Sequence, residues 1–233
     1  MKVEMTFADW LTYKMPIDQV IINASPLDGS DRFVRHMIGV SLRCRRDILE
    51  TMFESLSTDT INTKLYCKSF AIHSDKKRRG RRTWMKNQMT RELINNTLEA
   101  RGFVTTSSNA NFFADLVASK FTFSPEGNGI DCHRHYEALI FKSIPIIENN
   151  TFIEEKYDGL PIIFTRDYKD IDQYMLKENY ENILGKTYNF SKLFIDWYDQ
   201  PTQRWIKRNG NYWARLHPER SGFYEMLPWP NIE

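Results

Sequence analysis

The chain has 233 residues, 41% of them hydrophobic and 14% aromatic, which is ample for one large packed domain. With 32 Lys and Arg against 30 Asp and Glu the net charge is only +2, so bulk charge selects neither nucleic acid nor an acidic surface as partner. Its cysteines, Cys44, Cys67 and Cys132, are odd in number and far apart, which speaks against a disulfide framework and for a reducing compartment. No apolar run approaches the roughly 18 residues needed to span a bilayer, and MKVEMTFADW has no signal-peptide core. A soluble, cytoplasmic protein is expected.

In chain order, Val20–Ile22 reads as a short strand and Ser25–Asp31 as a turn. Asp47–Leu56 carries apolar residues at helical spacing. Lys64–His73 alternates as the first strand of a sheet would. Six basic residues follow between Lys76 and Arg82, with Gly80 among them. A helix is predicted over Thr83–Ala100, then a turn at Gly102–Val104 into a strand, then a helix over Asn111–Ser119. The basic run is either a solvated loop or a phosphate-binding turn; nucleic-acid binding also fits its charge, but no recognition motif accompanies it.

The stretch Ser119–Asn150, SKFTFSPEGNGIDCHRHYEALIFKSIPIIENN, organises the rest. Phe121–Ser124 alternates as a short core strand, and Pro125 ends it by lacking an N–H. Gly127 and Gly129 break the loop, Asp131 is the expected N-cap, and a helix is predicted over Cys132–Lys142. Ile144–Ile147 is a β-branched run suited to a buried parallel strand. A loop from strand end to helix start favours anions, through free N–H groups and the helix dipole. His133 and Glu137 share one helix face, with Arg134 beside them. These residues suit a nucleotide-like ligand, Arg134 for a diphosphate and Glu137 for ribose hydroxyls. The plainer alternative is a tight turn followed by surface side chains.

Leu160–Thr165 reads as the next strand and Asp167–Leu184 as mostly helix. The alternation predicts an α/β fold with a doubly wound, mostly parallel Rossmann-like sheet. From Tyr188 the chain is rich in aromatics, including Trp197, Trp205, Trp213, Trp229, Tyr198, Tyr212 and Tyr224. They either pack back on the domain or form a sugar-stacking acceptor surface. Cys132, His133 and His135 are close in sequence but point to different faces, so no metal site is expected. Asp170-Ile171-Asp172 spells D-I-D but begins a late helix.

SPEGNGIDCHRHYEALIFKSIPII resembles the signature of exostosin-like glycosyltransferases and their soluble viral and microbial relatives, S-P-x-G-x-G-x-D-x-H-R-x-x-E-A-L followed by I-P-I. The resemblance covers about Lys64–Asp170 and is densest over Phe112–Asn150. It implies the donor-binding half of a GT-B glycosyltransferase. Residues 61–187 would bind the nucleotide sugar, 1–60 would be an appendage on the acceptor side, and 188–233 an aromatic C-terminal helix and tail. Arg134 would lie near the donor diphosphate, Glu137 at the ribose, and Gly127–Asp131 at the donor sugar. Ser124, Gly127, Asn128, Gly129, Asp131, His133, Arg134 and Glu137 are thus the expected donor-binding set, joined by Arg81 or Arg82 after the first strand.

The implied reaction is metal-independent hexosyl or pentosyl transfer from a nucleoside-diphosphate donor such as a UDP-sugar to a glycan or other hydroxyl. No cofactor is expected. Asp131, Glu126 and Asp75 are alternative bases for the acceptor hydroxyl. An acceptor domain is too large for this chain, which is then a reduced version, a half that borrows its acceptor site from a partner chain or a second copy, or a fragment of a longer protein. If the chain is viral, the host cytoplasm is its compartment. The alternative readings are a non-catalytic nucleotide-sugar or glycan-binding subunit and, behind it, a basic nucleic-acid-binding accessory protein.

Overall fold

The computed structural model describes residues 2–25, 36–41, 46–54, 59–73, 90–106, 112–127, 129–215 and 224. The described elements run β1 (Glu4–Thr6), α1 (Phe7–Thr12), α2 (Arg46–Glu54), β2 (Lys64–Cys67), α3 (Arg91–Ala100), α4 (Phe112–Ala118) and β3 (Ser119–Phe123). They continue with α5 (His133–Ile140), β4 (Ile144–Glu148), α6 (Thr151–Lys156), β5 (Ile163–Thr165), α7 (Gln173–Leu184), β6 (Thr187–Asn189) and α8 (Gln200–Arg215). Strands β2, β3, β4 and β5 form one sheet in that order, all parallel. Phe121 faces Tyr66 on one side and Ile144 on the other, and Ile146 faces Ile163. Each strand returns to its neighbour through helix, as parallel pairing requires. The architecture is the Rossmann-like α/β fold expected from the alternation of strand and helix.

The strands read as they do because the sheet is covered. Every residue of β4 is buried, and in β3 only Lys120 is partly exposed. Such strands lose the in-out alternation and become runs of Phe and Ile. The helix starts follow local chemistry. Thr90, Asn150 and Asp172 each accept a backbone N–H in the first turn of the helix they precede. Asp172, the last residue of D-I-D, is therefore a cap. Two boundaries differ from the sequence reading. The first strand stops at Cys67, after which Lys68 N–H turns to the Thr106 hydroxyl and its carbonyl accepts from Thr106 N–H. That pairing lays extended residues 103–106 beside the end of β2, where a full strand was expected. The helix predicted from Thr83 is described from Arg91; residues 83–89 lie outside the described residues, as do the turn residues 26–31.

The two ends of the chain pack into the same core. β1 pairs antiparallel with β6, and Val3 N–H donates to Ser191 Oγ at 2.7 Å. Val3, Phe7, Trp10 and Val20–Ile22 share one buried cluster with Phe121, Ile146, Leu193 and Ile206. Val20 and Ile22 make isolated bridges, to Phe194 and Val40, so the short strand expected there is two single pairings. The C-terminal aromatics mostly pack back. Trp213 Nε1 donates to Ser25 O, Ile22 N–H donates to Tyr224 Oη, and Tyr224 in turn donates to Val20 O. Trp197 and Tyr212 stay exposed, and Trp229 lies outside the described residues.

Lys142 follows α5 in a left-handed conformation, with φ of 68°, and is fully buried. Its Nζ donates to Tyr13 O at 3.0 Å and sits 3.9 Å from the Trp10 ring centroid. Burial pushes its ammonium down to about 6, while the aromatic faces hold some of the charge. The folded state thus prefers the neutral amine, and the unfolded chain binds more protons between about pH 6 and the ordinary lysine range. Stability should rise with pH through that window and flatten below it. Lys142→Met should abolish this rise and stabilise the protein at pH 7 by roughly 1–3 kcal/mol, as measured by urea unfolding at pH 7 and pH 9.

Candidate functional site

The carboxyl ends of β3 and β4 meet the N-terminus of α5, and most of the expected site residues converge there. The loop 124–131 is braced from several directions. Arg91, at the first position of α3, donates from Nε to Glu126 O at 2.8 Å, from Nη2 to Pro125 O at 2.8 Å and from Nη1 to Ala71 O at 3.2 Å. Glu126 N–H donates to Glu148 Oε2 at the end of β4, and Tyr168 Oη donates to the same oxygen. A Cβ on Gly127 would stand 2.6 Å from Arg91 Nη2, so the close approach of loop and guanidinium needs glycine here.

His135 closes the loop from the helix side. Its Nε2 lies 3.1 Å from Ile130 O, and Nδ1 lies 2.6 Å from Ser124 Oγ. A carbonyl can only accept, so Nε2 carries the proton and Ser124 donates to Nδ1. Burial pushes this imidazole down to about 4, so it stays neutral. The Cys132 thiol is likewise turned into the loop, accepting from Gly127 N–H at 3.1 Å; burial pushes it up to about 11.

Cys132, rather than Asp131, is the N-cap residue of α5, and its side chain makes no capping bond. Asp131 is diverted elsewhere. Its Oδ1 accepts from Tyr157 Oη and its Oδ2 from Lys156 Nζ, both at 2.8 Å. Burial pushes this carboxyl up, but Lys156, His135 and the Tyr157 hydroxyl together outweigh that and hold it below the usual range. Both oxygens are thus committed to α6 and the residue after it.

On α5, His133 and Glu137 share a face, as their spacing predicts. Both meet the segment 36–41: His133 Nδ1 donates to Gly39 O at 2.8 Å, and Ser41 N–H donates to Glu137 Oε1 at 2.9 Å. Gly39 has φ of 79°, and a Cβ there would stand 2.1 Å from Ile21 O. Arg134 differs from its neighbours. Its guanidinium lies over the Phe112 ring at 4.8 Å, and its Nε is buried without a hydrogen-bond partner. Burial pushes it below the ordinary arginine range; Glu137 opposes that shift and Arg91 adds to it. Two desolvated cations therefore act on each other at the strand ends, the setting that attracts an anion.

The structure thus gathers Ser124, Glu126, Gly127, Gly129, Asp131, His133, Arg134 and Glu137 around one loop and helix start. Asn128, Asp75, Arg81 and Arg82 lie outside the described residues. Arg91, Lys156, Tyr157 and the segment 36–41 were not anticipated. Only Arg91 had a readable signal, since a capping Thr90 puts it at the start of a helix that follows the first strand. Among the described residues, no group of three or more His, Cys, Asp or Glu could hold a metal ion. No helix among them is long and apolar enough to cross a membrane.

The family described as the RXYLT1 C-terminal domain matches residues 52–209, more than half of the chain. The chain belongs to this family. The match takes in β2 through most of α8, and so the whole loop and α5. Ribitol-5-phosphate xylosyltransferase 1 of Homo sapiens is 29% identical over 109 residues, 40% of this chain and 24% of that protein. The Mus musculus protein of the same name aligns to the same extent. The aligned part thus spans about a quarter of the length of these curated relatives. Membership of the RXYLT1 C-terminal domain family bears out the exostosin-like resemblance carried by the central motif.

In this family member the grip of Arg91 on the loop is open to a direct test. Arg91→Met should destabilise by roughly 2–4 kcal/mol, since buried carbonyls lose charged donors. Gly127→Ala should cost roughly 1–3 kcal/mol by crowding the same guanidinium. In the Arg91→Met background the Gly127→Ala cost should fall below about 1 kcal/mol, because the obstacle is gone. Urea unfolding of the four proteins gives this coupling; additive losses would mean the two residues act separately.

Proposed function

We propose that the chain is a glycosyltransferase, or the donor-binding part of one, transferring a sugar from a nucleoside diphosphate to a hydroxyl of a glycan or glycan-like acceptor. The observation that carries this reading is Arg134: a half-buried arginine whose Nε is buried without a partner, beside the Arg91-braced loop, in a member of a family whose relatives are named as xylosyltransferases. A diphosphate would supply the missing acceptors, and the α5 N-terminus would share its charge. The charge that grows on the diphosphate as the glycosidic bond breaks would be met by Arg134 and, through the fixed loop, by backbone N–H groups, so no bound metal is required. Glu137 keeps Oε2 for the ribose hydroxyls while Oε1 holds Ser41 N–H. The relatives' names favour a pentose, xylose, as the sugar and a polyol phosphate as the acceptor, while UDP as the carrier rests on the exostosin-like resemblance.

A thermal-shift panel of nucleoside diphosphates and their sugar conjugates tests the reading, followed by transfer assays on any ligand that binds. UDP and UDP-xylose should stabilise the protein most. Binding without turnover would make the chain a nucleotide-sugar-binding subunit, and stabilisation by oligonucleotides alone would replace both readings.

Arg134→Lys keeps the charge but not the planar fork. It should weaken UDP binding roughly tenfold or more, a loss of about 1.4 kcal/mol or greater, and lower the transfer rate further. Glu137→Ala should weaken binding by roughly 1–3 kcal/mol. Calorimetric titration of UDP into the three proteins measures both effects; unchanged affinity in Arg134→Lys would place the phosphates elsewhere.

A further inference from the structure

The segment 36–41 runs along the start of α5, with Ser41 at Glu137, Gly39 at His133, and His36 within electrostatic reach of Asp131 and Lys156. The His36 imidazole is buried, with only 4% of the residue exposed. Its Nδ1 lies 2.9 Å from Met37 O, and a carbonyl can only accept, so Nδ1 holds the ring proton. The lone pair is therefore on Nε2, and Nε2 is buried with no hydrogen-bond partner. A buried unpaired acceptor is unfavourable unless a ligand completes it. The two ring neighbours are half-buried aromatics, Trp205 at 4.6 Å and Tyr198 at 6.3 Å, and Trp197 beside Tyr198 is exposed. Such faces suit the C–H groups of a sugar or polyol.

We infer that His36 Nε2 is the base for the acceptor hydroxyl, and that Trp205 and Tyr198 form the surface on which the acceptor docks. This rests on the glycosyltransferase reading above. In the step, the acceptor oxygen bonds to the anomeric carbon as its proton passes to Nε2. The bond from that carbon to the diphosphate oxygen breaks, and its electron pair leaves with the nucleoside diphosphate. A single displacement of this kind inverts the anomeric carbon. Asp131 is poorly placed for the task because Tyr157 and Lys156 occupy both of its oxygens. It acts instead with Lys156 on the electrostatics at His36. Burial pushes the His36 imidazole down to about 4 in the free protein. A bound anionic donor raises it, so the base strengthens only when there is a sugar to transfer.

His36→Asn tests the assignment, since its amide N–H can still donate to Met37 O but offers no ring lone pair. With UDP-xylose as donor and ribitol 5-phosphate as acceptor probe, His36→Asn should keep the wild-type Tm and UDP affinity. Its kcat should fall roughly 100-fold or more, the usual worth of a general base. In His36→Ala, added imidazoles should restore transfer in proportion to their basicity. Trp205→Ala should raise the acceptor KM without changing UDP affinity. Transfer by His36→Asn at the wild-type rate, or a product that retains anomeric configuration, overturns the inference while leaving the glycosyltransferase reading intact. If His36→Asn does not fold, the imidazole rescue of His36→Ala decides, and rescue independent of basicity overturns it. Absence of transfer by the wild-type protein with every nucleotide sugar that binds overturns both.

Discussion

Backbone carbonyls at the end of a buried parallel strand have no ladder left to join, and here an arginine satisfies them. Arg91 donates to Pro125 and Glu126 from one side while His135 and Cys132 hold Ile130 and Gly127 from the other. The loop is then fixed in a shape that a Cβ at Gly127 would crowd against Arg91, and the first turn of α5 is aimed accordingly. Everything specific about the site depends on that aim. His133 and Glu137 reach segment 36–41, and Arg134 is left facing inward with Nε unspent. A site built on such rigid parts loses little on binding, because the ordering has been done during folding.

Two neighbouring side chains divide the electrostatic work. His135 is neutral and inaccessible, a brace between Ser124 and Ile130. Arg134 is cationic, partly exposed and missing an acceptor. Residues one apart on a helix face different surroundings, so one of them braces the loop and the other keeps an unpartnered Nε. Burial acts on both, and only the arginine, whose ordinary pKa lies far above neutrality, keeps its charge through it.

Much of this was legible because it is local. The Phe-rich strand, the glycine break, the α5 periodicity and the Ile run at β4 each announce themselves within a few residues, and the ordered motif across them carries the family. The i, i+4 pairing of His133 with Glu137 was equally plain, and the structure puts both on one neighbour. What they touch was not legible. Gly39, Ser41 and His36 approach from about a hundred residues upstream, in a stretch with no periodic pattern. Asp131 has the right residue type for a cap, but Tyr157 and Lys156, which draw it away, arrive through a helix further along. The Arg91 clamp needed the depth of β2 to be known, since the strand stops at Cys67 and Ala71 O, beyond it, accepts from Arg91. Composition left two roles open for the late aromatics, and Trp213 and Tyr224 take the plainer one, packing back and tying down the N-terminal segment.

That tie has a consequence for how the molecule assembles. Val3 bonds to Ser191, Ile22 to Tyr224, Val20 to Tyr224 and Ser25 to Trp213, so the stretch against which residues 38–40 pair is anchored by residues 188 to 204 positions away. Contacts so distant in sequence form late, since the chain must close its longest loops to make them. On a ribosome, the parallel sheet and the α5 loop can form from sequence already synthesised while segment 36–41 still lacks its anchors. The nascent chain would then possess the braced α5 loop before it possessed the wall opposite, which joins only when α8 and Tyr224 have emerged.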